Sequence, residues 1–442
     1  MDGPGSAGRG EKPVSLMMKI MEDLTPLNRV FCSRDYDRSI EYLRSILPFE
    51  VVSFDAGQDL NGWVIPPWWN VRQALIARGG ETLFDGAAHP LRVIALSRSF
   101  SGRVGVEELK RHLHFDARCD DAVPYHFRQL YRSWERDWGF CVPRRFYDSL
   151  EPGEYDVVIE TEEAPGVLKI LEYTHPGALP HRIVLAAHLD HPGMANDGLS
   201  GCAAGVEVMR RLSGRRTRYT YCLVLHQEIM GAEYYLGRIG ASERQNLIEG
   251  LFLEMLGTRT PLAIQDPPGG DANLGAALAH IMRDSGIDHR RGPYGSIVVN
   301  GEYVWFARGI PMASLSRFPY PQYHCDRDDI TIVHEDMLEE SVDLVMRAID
   351  RIEASPVVVK KFVGSICVSN PAYDLYVDPG QAAFGDEACG DRMKKTRLLM
   401  ELVPSLHRPV GVDTLAERVG LDSTEVLAYL ERWAEKGLID IV

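Results

Sequence analysis

The sequence predicts an α/β domain that is interrupted by a β-rich module and followed by a small C-terminal unit of helices. Continuous apolar runs, such as residues 182–187 and 219–225, are typical of parallel strands that are buried on both faces. Helical patterns, such as residues 201–212, separate these runs, and this alternation builds a sheet with helices on its faces. Between residues 51 and 155 the chain changes to short apolar segments rich in aromatic residues, proline and glycine, which favours a β-rich module.

The domain boundaries follow from these changes of pattern. Residues 15–50 and 156–360 are predicted to form the α/β domain, and residues 51–155 the inserted module. Amphipathic or capped helices are expected near both ends of the α/β domain, at 16–24, 36–47 and 336–354.

Residues 365–442 are predicted to form a winged helix. Helices are expected at 391–403 and after the N-capping residues Asp413 and Ser423, since aspartate and serine are favoured at helix N-termini. Gly437 ends the last helix, and the apolar run that follows is a predicted terminal strand.

The charge of the chain argues against nucleic acid and membranes as partners. It has 63 acidic and 48 basic residues among 442, a net charge of −15. Residues 391–442 contain eight Lys or Arg and nine Asp or Glu, so the winged helix lacks the positive charge that phosphate contacts need. We expect it to dock on the α/β domain or on a second copy of the chain. No apolar run approaches the length of a membrane span.

The N-terminus and the cysteines favour a cytoplasmic location. Residues 1–14 are polar and glycine-rich without a hydrophobic segment, so we expect a free N-terminus rather than a secretion signal. The eight cysteines show no CxxC or other tight spacing, which is typical of free thiols in a reducing compartment.

Metal-ligand side chains follow the predicted strands at the points where they end. A single histidine at a strand end is more often a structural residue. Since the carboxyl ends of parallel strands share one rim of a sheet, several such groups together favour a metal site. Two imidazoles and three carboxylates suit Zn²⁺, either one ion or two with a bridging carboxylate. The candidates are His188, Asp197, Glu228, Glu254 and His324.

The segment HLDHPGMANDGLSG, residues 188–201, resembles the first metal motif of the zinc-dependent aminopeptidases with co-catalytic metals. Glu228, Glu254 and the run YHCDRDD at 323–329 follow in an order similar to that family's later ligands. The resemblance implies a zinc-peptidase-like mixed sheet flanked by helices, and His191 is expected to point away from the site. The implied ligand pairs are His188 with Glu228 and Glu254 with His324, bridged by Asp197, with Asp190 orienting His188.

A closer resemblance is to a bacterial aminopeptidase-like family of unassigned function, which has an N-terminal insert and a C-terminal winged helix. Residues 62–76, 107–127 and 136–143 look like its insert, and the likeness runs from about residue 15 to the end.

The general base is the main departure from the aminopeptidases. They carry a glutamate immediately before the metal-binding glutamate, whereas Gln227 occupies this position and cannot accept a proton at neutral pH. Asp190 and Glu302 are the alternative bases, although Glu302 also fits a solvated loop carboxylate. Glu254 replaces the usual aspartate, which leaves one or two zinc ions as alternatives.

Arg317 and Tyr323 are the candidate substrate-binding residues. Arg317 fits either a clamp for a substrate carboxylate or a structural ion pair, and Asp328 is expected to orient His324. His112, His114 and His126 of the module either overhang the site or are structural.

Two classes of function follow from these residues. The first is a zinc-dependent hydrolase of the aminopeptidase type, acting on an amide or peptide-like bond of a small substrate. The second is a metal-binding or regulatory protein that kept the site, lost turnover and uses the winged helix for docking.

Overall fold

The computed structural model describes residues 14–268, 272–378 and 387–442. The predicted free N-terminus, residues 1–14, therefore lies almost entirely outside the described residues. The helices are α1 (Leu16–Leu24), α2 (Arg34–Ile46), α3 (Val106–Arg111), α4 (Arg144–Ser149), α5 (Leu199–Leu212), α6 (Met230–Arg238), α7 (Ala241–Asn246), α8 (Asn273–Asp284), α9 (Glu302–Ala307), α10 (Glu335–Ala354), α11 (Glu387–Leu402), α12 (Val412–Val419) and α13 (Ser423–Glu435).

The strands fall into one large sheet and several smaller ones. They are β1 (Glu50–Asp55), β2 (Asp59–Leu60), β3 (Trp63–Val64), β4 (Trp68–Arg78), β5 (Glu81–Asp85), β6 (Phe100–Gly105), β7 (Leu113–His114), β8 (Phe140–Cys141), β9 (Glu154–Ala164), β10 (Val167–His175), β11 (Arg182–His188), β12 (Thr220–His226), β13 (Leu247–Leu253), β14 (Leu262–Asp266), β15 (His289–Pro293), β16 (Met312–Ser316), β17 (Val357–Lys360), β18 (Val410–Gly411) and β19 (Ile439–Ile441).

The large sheet confirms the predicted mixed α/β fold. Its eight strands run in the order β1-β10-β12-β11-β13-β16-β14-β15. The four central strands are parallel, while β10 and β14 join them in antiparallel orientation. The central strands are mostly apolar, as is usual for a sheet with helices on both faces, and Glu249 in β13 is a buried exception.

Strand β11 shows how the two faces divide. Ile183, Leu185 and Ala187 pack into the larger core, to which α1, α2, α5, α8 and α10 contribute. Val184 and Ala186 point to the opposite face, where α6 and α9 pack. The period of two along a strand thus places successive residues of one run in different cores.

The inserted module has a four-stranded antiparallel sheet in the order β5-β4-β9-β6 and its own apolar core. Strand β1 pairs with β10 in the large sheet, whereas β9 stays in the module's sheet up to Ala164. The chain therefore returns to the large sheet at Val167, later than the predicted boundary at residue 155.

The C-terminal unit packs α11, α12 and α13 on a three-stranded antiparallel sheet, β18-β17-β19. Strand β17 precedes the predicted start of this unit at residue 365. Asn273 of α8 joins the unit to the α/β domain, because its side-chain oxygen accepts hydrogen bonds from Gly411 N and the Thr414 hydroxyl. Within the described residues, no helix is long and apolar enough to cross a membrane.

Candidate metal centre

The carboxyl ends of the central parallel strands meet at one rim of the sheet. Strands β11, β12 and β13 end at His188, His226 and Leu253, and the predicted ligand segments follow directly. Because the three strands are neighbours and parallel, their following loops lie side by side.

Three side chains at this rim form a group with metal-binding geometry. One ligand atom each of His191, Asp197 and His324 lies within 4.8 Å of the others. The Nε2 atoms of His191 and His324 lie 3.7 Å and 3.1 Å from Asp197 Oδ2. Ligands at 2.0–2.1 Å from a tetrahedral zinc ion lie about 3.3 Å apart, so the observed spacing fits such an ion.

Glu228, two residues after the end of β12, lies beside this group. Its Oε2 lies 3.5 Å from His191 Nε2, and its side chain is more exposed than those of His191 and Asp197. Asp197 Oδ2 is buried facing two imidazoles, and no group of the described residues forms a hydrogen bond of ordinary geometry with it. Burying such an oxygen costs free energy unless it is paired, and a cation bound between the two histidines and this oxygen would compensate for that cost.

Electrostatics inside the group favour a positive charge. Burial lowers the pKa of His191, but the carboxylates of Asp197 and Glu228 outweigh it and raise the pKa to about 10. Burial raises the pKa of Asp197, and the two facing imidazoles more than compensate and lower it. The same carboxylates that raise this pKa would attract a divalent cation to the group.

The structure places His191, and not His188, beside Asp197. The expectation that His191 points elsewhere is wrong. The ring of His188 packs edge-on against Phe252 at 4.7 Å, and its centroid lies 5.7 Å from that of His191. The Nε2 of His188 is buried, and no residue in the described part of the chain forms a hydrogen bond with it.

Arg29 explains why His191 lies beside Asp197, because it fixes the turn after β11. Its buried guanidinium donates hydrogen bonds to the carbonyl oxygens of Leu189, His191 and Met194. These bonds hold the main chain so that the His191 ring turns toward the rim. Burial lowers the pKa of Arg29 to about 10, so it remains charged at neutral pH.

Asp328 holds the loop that carries Asp197. Its carboxylate accepts hydrogen bonds from Asn196 N at 2.6 Å and Asp197 N at 3.0 Å, and the Tyr320 hydroxyl also donates to it. Asp328 was expected to orient His324, but these contacts show that it orients Asp197 instead. His324 is stacked on Tyr323, with ring centroids 3.8 Å apart, and its carbonyl accepts from Tyr125 N.

Asp190 and Gln227 both lie behind the group. Asp190 Oδ1 accepts a hydrogen bond from Glu228 N at 2.9 Å, and burial raises its pKa to about 7. The amide of Gln227 donates to the carbonyl oxygens of Phe31 and Lys169, so it points into the protein and away from the rim.

Glu254 and Glu302 form a second acidic pair at the rim. Burial raises the pKa of Glu254 well above its ordinary value, and the charges of Glu302, Asp197 and Glu228 raise it further. Asn300 donates a hydrogen bond to one oxygen of Glu254, while the other is buried without a partner. Glu302 is 1% exposed, which excludes the solvated loop carboxylate.

Arg317 has structural partners. It donates to the carbonyl oxygen of Thr260 at 3.0 Å and pairs with Glu340 of α10. With 3% exposure and these contacts, its guanidinium serves the packing of α10 rather than an open binding surface.

The module supplies aromatic residues to the site, which sequence reasoning missed. The rings of Tyr125 and Phe127 lie 5.7 Å and 5.6 Å from that of His324. Tyr131 donates a hydrogen bond to the carbonyl oxygen of Glu228. The only sequence signal was the aromatic content of 125–131. The rings of His114 and His126 lie 4.3 Å apart at an angle of 37°, outside the metal-binding group.

Solved structures of aminopeptidases share this fold. The chain is similar to the crystal structure of a “putative peptidase” from Clostridium acetobutylicum, with a TM-score of 0.74, 22% identity and 96% coverage of both chains. A zinc aminopeptidase from Bacillus subtilis matches with a TM-score of 0.57 and 14% identity, over 76% of this chain and 94% of that chain. An aminopeptidase from Aneurinibacillus sp. strain AM-1 matches with a TM-score of 0.52, 14% identity and coverages of 76% and 93%. The fold is therefore of the zinc aminopeptidase type.

The chain belongs to the family described as Domain of unknown function (DUF4910), whose model matches residues 18–355. A curated relative from Clostridium acetobutylicum is 26% identical over 342 residues, which cover 76% of this chain and 77% of the relative. That protein is named “Putative polysaccharide biosynthesis protein with aminopeptidase-like domain”. The matches thus show a family of unknown function with an aminopeptidase type of fold, while the winged helix stays a prediction.

Proposed function

We propose that this protein is a zinc-dependent hydrolase of the aminopeptidase type, which cleaves an amide or peptide-like bond in a small substrate. The observation that carries the proposal is the group of His191, Asp197 and His324, which stands at the strand ends of an aminopeptidase fold. The fold alone does not give an activity, so the argument depends on the site.

The metal ligands in this proposal are His191, Asp197, Glu228 and His324. The unsatisfied Oδ2 of Asp197 and the spacing of the imidazoles support a zinc ion in their midst. Glu254, with a free buried oxygen, is the candidate for a second ion that Asp197 would bridge. Bound zinc supplies a Lewis acid that polarises a carbonyl and lowers the pKa of water.

The surrounding residues position the ligands and limit access. Asp190 holds the main chain of Glu228, and Asp328 holds that of Asp197, so both carboxylates are preorganised. Tyr125, Phe127 and Tyr131 reach over the site from the module. These rings support a small substrate, because they narrow the space above the ligands.

The proposal is tested by hydrolysis of aminoacyl p-nitroanilides before and after removal of metal. We expect turnover by the purified protein, its loss after treatment with a chelator, and its return with added Zn²⁺. Metal binding without hydrolysis of any amide would favour the alternative, a metal-binding protein without turnover, for which the inward-pointing Gln227 is the supporting observation.

A further inference from the structure

The segment 300–302 crosses the rim directly in front of the ligand strands. Asn300 donates a hydrogen bond to Glu254, which follows β13. A Cβ atom placed on Gly301 would lie 3.3 Å from His188 Nε2 and 3.8 Å from Ile229 N, which belong to the ends of β11 and the loop after β12. Glu302 comes next and opens helix α9. The segment therefore brings one more carboxylate to the strand ends.

The carboxylate of Glu302 is buried, and among the described residues neither of its oxygens has a hydrogen-bond partner of ordinary geometry. Ser314 and Gln265 lie beside it, but Gln265 Oε1 already accepts three main-chain N–H groups, and its Nε2 donates to Ser314 at 3.4 Å. Burying a carboxylate without partners destabilises the folded state by on the order of several kcal/mol. A functional role would explain why such a residue is kept.

The other two candidate bases are committed elsewhere. Gln227 cannot accept a proton, and its amide is bound to two main-chain carbonyls behind the site. Asp190 accepts the N–H of Glu228 and faces Arg29. Glu302 alone among the three has both oxygens free, and its charge interacts with that of Glu228.

We propose that Glu302 is the general base of the hydrolysis, in place of the glutamate that Gln227 replaces. This inference rests on the proposed function. The oxygen of a water molecule forms a bond to the carbonyl carbon of the substrate, while one of its protons passes to a Glu302 carboxylate oxygen. The C–N bond then breaks, the same proton moves to the leaving nitrogen, and Glu302 returns as carboxylate. One amide and one water give one carboxylic acid and one amine.

The test compares Glu302→Gln with a matched control, Glu249→Gln. Glu249 is also a buried glutamate with one free oxygen, but it lies on β13 five residues before Glu254, roughly 16 Å along the strand. We expect Glu302→Gln to lower kcat for an aminoacyl p-nitroanilide about 100-fold or more, the usual contribution of a general base. Its KM and its zinc content should stay within about twofold, and Glu249→Gln should keep full activity.

Chemical rescue distinguishes a catalytic role from a structural one. Glu302→Ala should regain part of its kcat when formate is added, because formate supplies the missing carboxylate, and Glu302→Asp should retain more activity than Glu302→Gln. A kcat within threefold of the original in Glu302→Gln would overturn the inference and leave the proposed function standing. A loss of zinc in Glu302→Gln would overturn it in favour of a metal ligand, and an inactive original protein would overturn both.

Discussion

At the residue scale, the direction of a few buried side chains decides the chemistry of this site. His188 and His191 are separated by two residues, yet only His191 shares the group with Asp197 and His324. Gln227 and Glu228 are adjacent, yet the amide of Gln227 points into the protein and the side chain of Glu228 lies at the rim. The sequence predicts which residue types reach the strand ends, but not which way each one turns.

The variant Gln227→Glu tests the inward direction of Gln227. From the sequence alone, restoring the glutamate raises hydrolysis of simple aminoacyl amides about a hundredfold if Gln227 is the only defect, and does little if Glu302 or Asp190 is the base. The structure predicts little gain in kcat, because the new carboxylate would face the carbonyl oxygens of Phe31 and Lys169. It also predicts a loss of stability of about 3–5 kcal/mol, the usual cost of an uncompensated buried charge.

Steady-state kinetics and urea unfolding of this variant measure the two effects. Gln227→Met, which is similar in size and uncharged, is the matched control for the lost amide contacts. A large rise in kcat for Gln227→Glu without a loss of stability would show that residue 227 reaches the substrate.

At the scale of the elements, the loop between β11 and α5 depends on contacts from distant parts of the chain. Arg29 donates hydrogen bonds to three of its carbonyl groups, and Asp328 accepts hydrogen bonds from three of its N–H groups. Position 29 is about 160 residues away in sequence, so no local pattern reveals the contact. This is why the sequence does not predict that His191 lies beside Asp197, although it predicts the strand that precedes both residues.

The variant Asp328→Ala tests whether this loop is preorganised for metal. Without the carboxylate, Asn196 N and Asp197 N lose their acceptor, and Asp197 is no longer held between the two imidazoles. We expect the affinity for Zn²⁺ to fall about 10–100-fold, as is usual when a residue that orients a ligand is lost. Titration with a fluorescent zinc indicator measures the change.

The exposed carboxylate Asp336 on α10 provides the control for Asp328→Ala. It pairs with Arg259 on the surface, so Asp336→Ala should leave zinc affinity unchanged. Equal affinities of both variants would contradict the role given to Asp328.

At the scale of the whole molecule, the sequence predicts the layers better than the contacts between the units. The apolar runs and their polar ends predict the parallel strands and the shared rim, because parallel strands impose that geometry. They do not reveal that Tyr125 and Phe127 of the module lie over His324, since these contacts join units far apart in the chain. It stays a prediction that the winged helix does not bind DNA, and so does the oligomeric state of the protein.

The junction with the C-terminal unit predicts a pH dependence of stability. Burial raises the pKa of Glu249 to about 7, against 4.5 ordinarily, and one oxygen accepts the N–H of Asn273, the residue that binds Gly411 and Thr414. A raised pKa in the folded state means that the folded protein binds the proton more tightly than the unfolded chain. This stabilisation is complete below about pH 4.5 and is lost as the pH rises through about 7.

We therefore expect Glu249→Gln to be more stable than the original protein at pH 8 and to lose this advantage toward pH 5. A shift of this size corresponds to roughly 3 kcal/mol between the two limits. Urea unfolding of both proteins at pH 5, 6, 7 and 8 measures the difference in their free energies of unfolding. A difference that does not change with pH would contradict the raised pKa of Glu249.

The central claim, that His191 rather than His188 holds the metal, is tested most directly by zinc content. Elemental analysis of His191→Ala, His324→Ala and His188→Ala after equilibration with limiting Zn²⁺ compares the three positions, with His280→Ala as a surface control. We predict loss of bound zinc in His191→Ala and His324→Ala and full content in His188→Ala and His280→Ala. Zinc retained by His191→Ala and lost by His188→Ala would contradict the account.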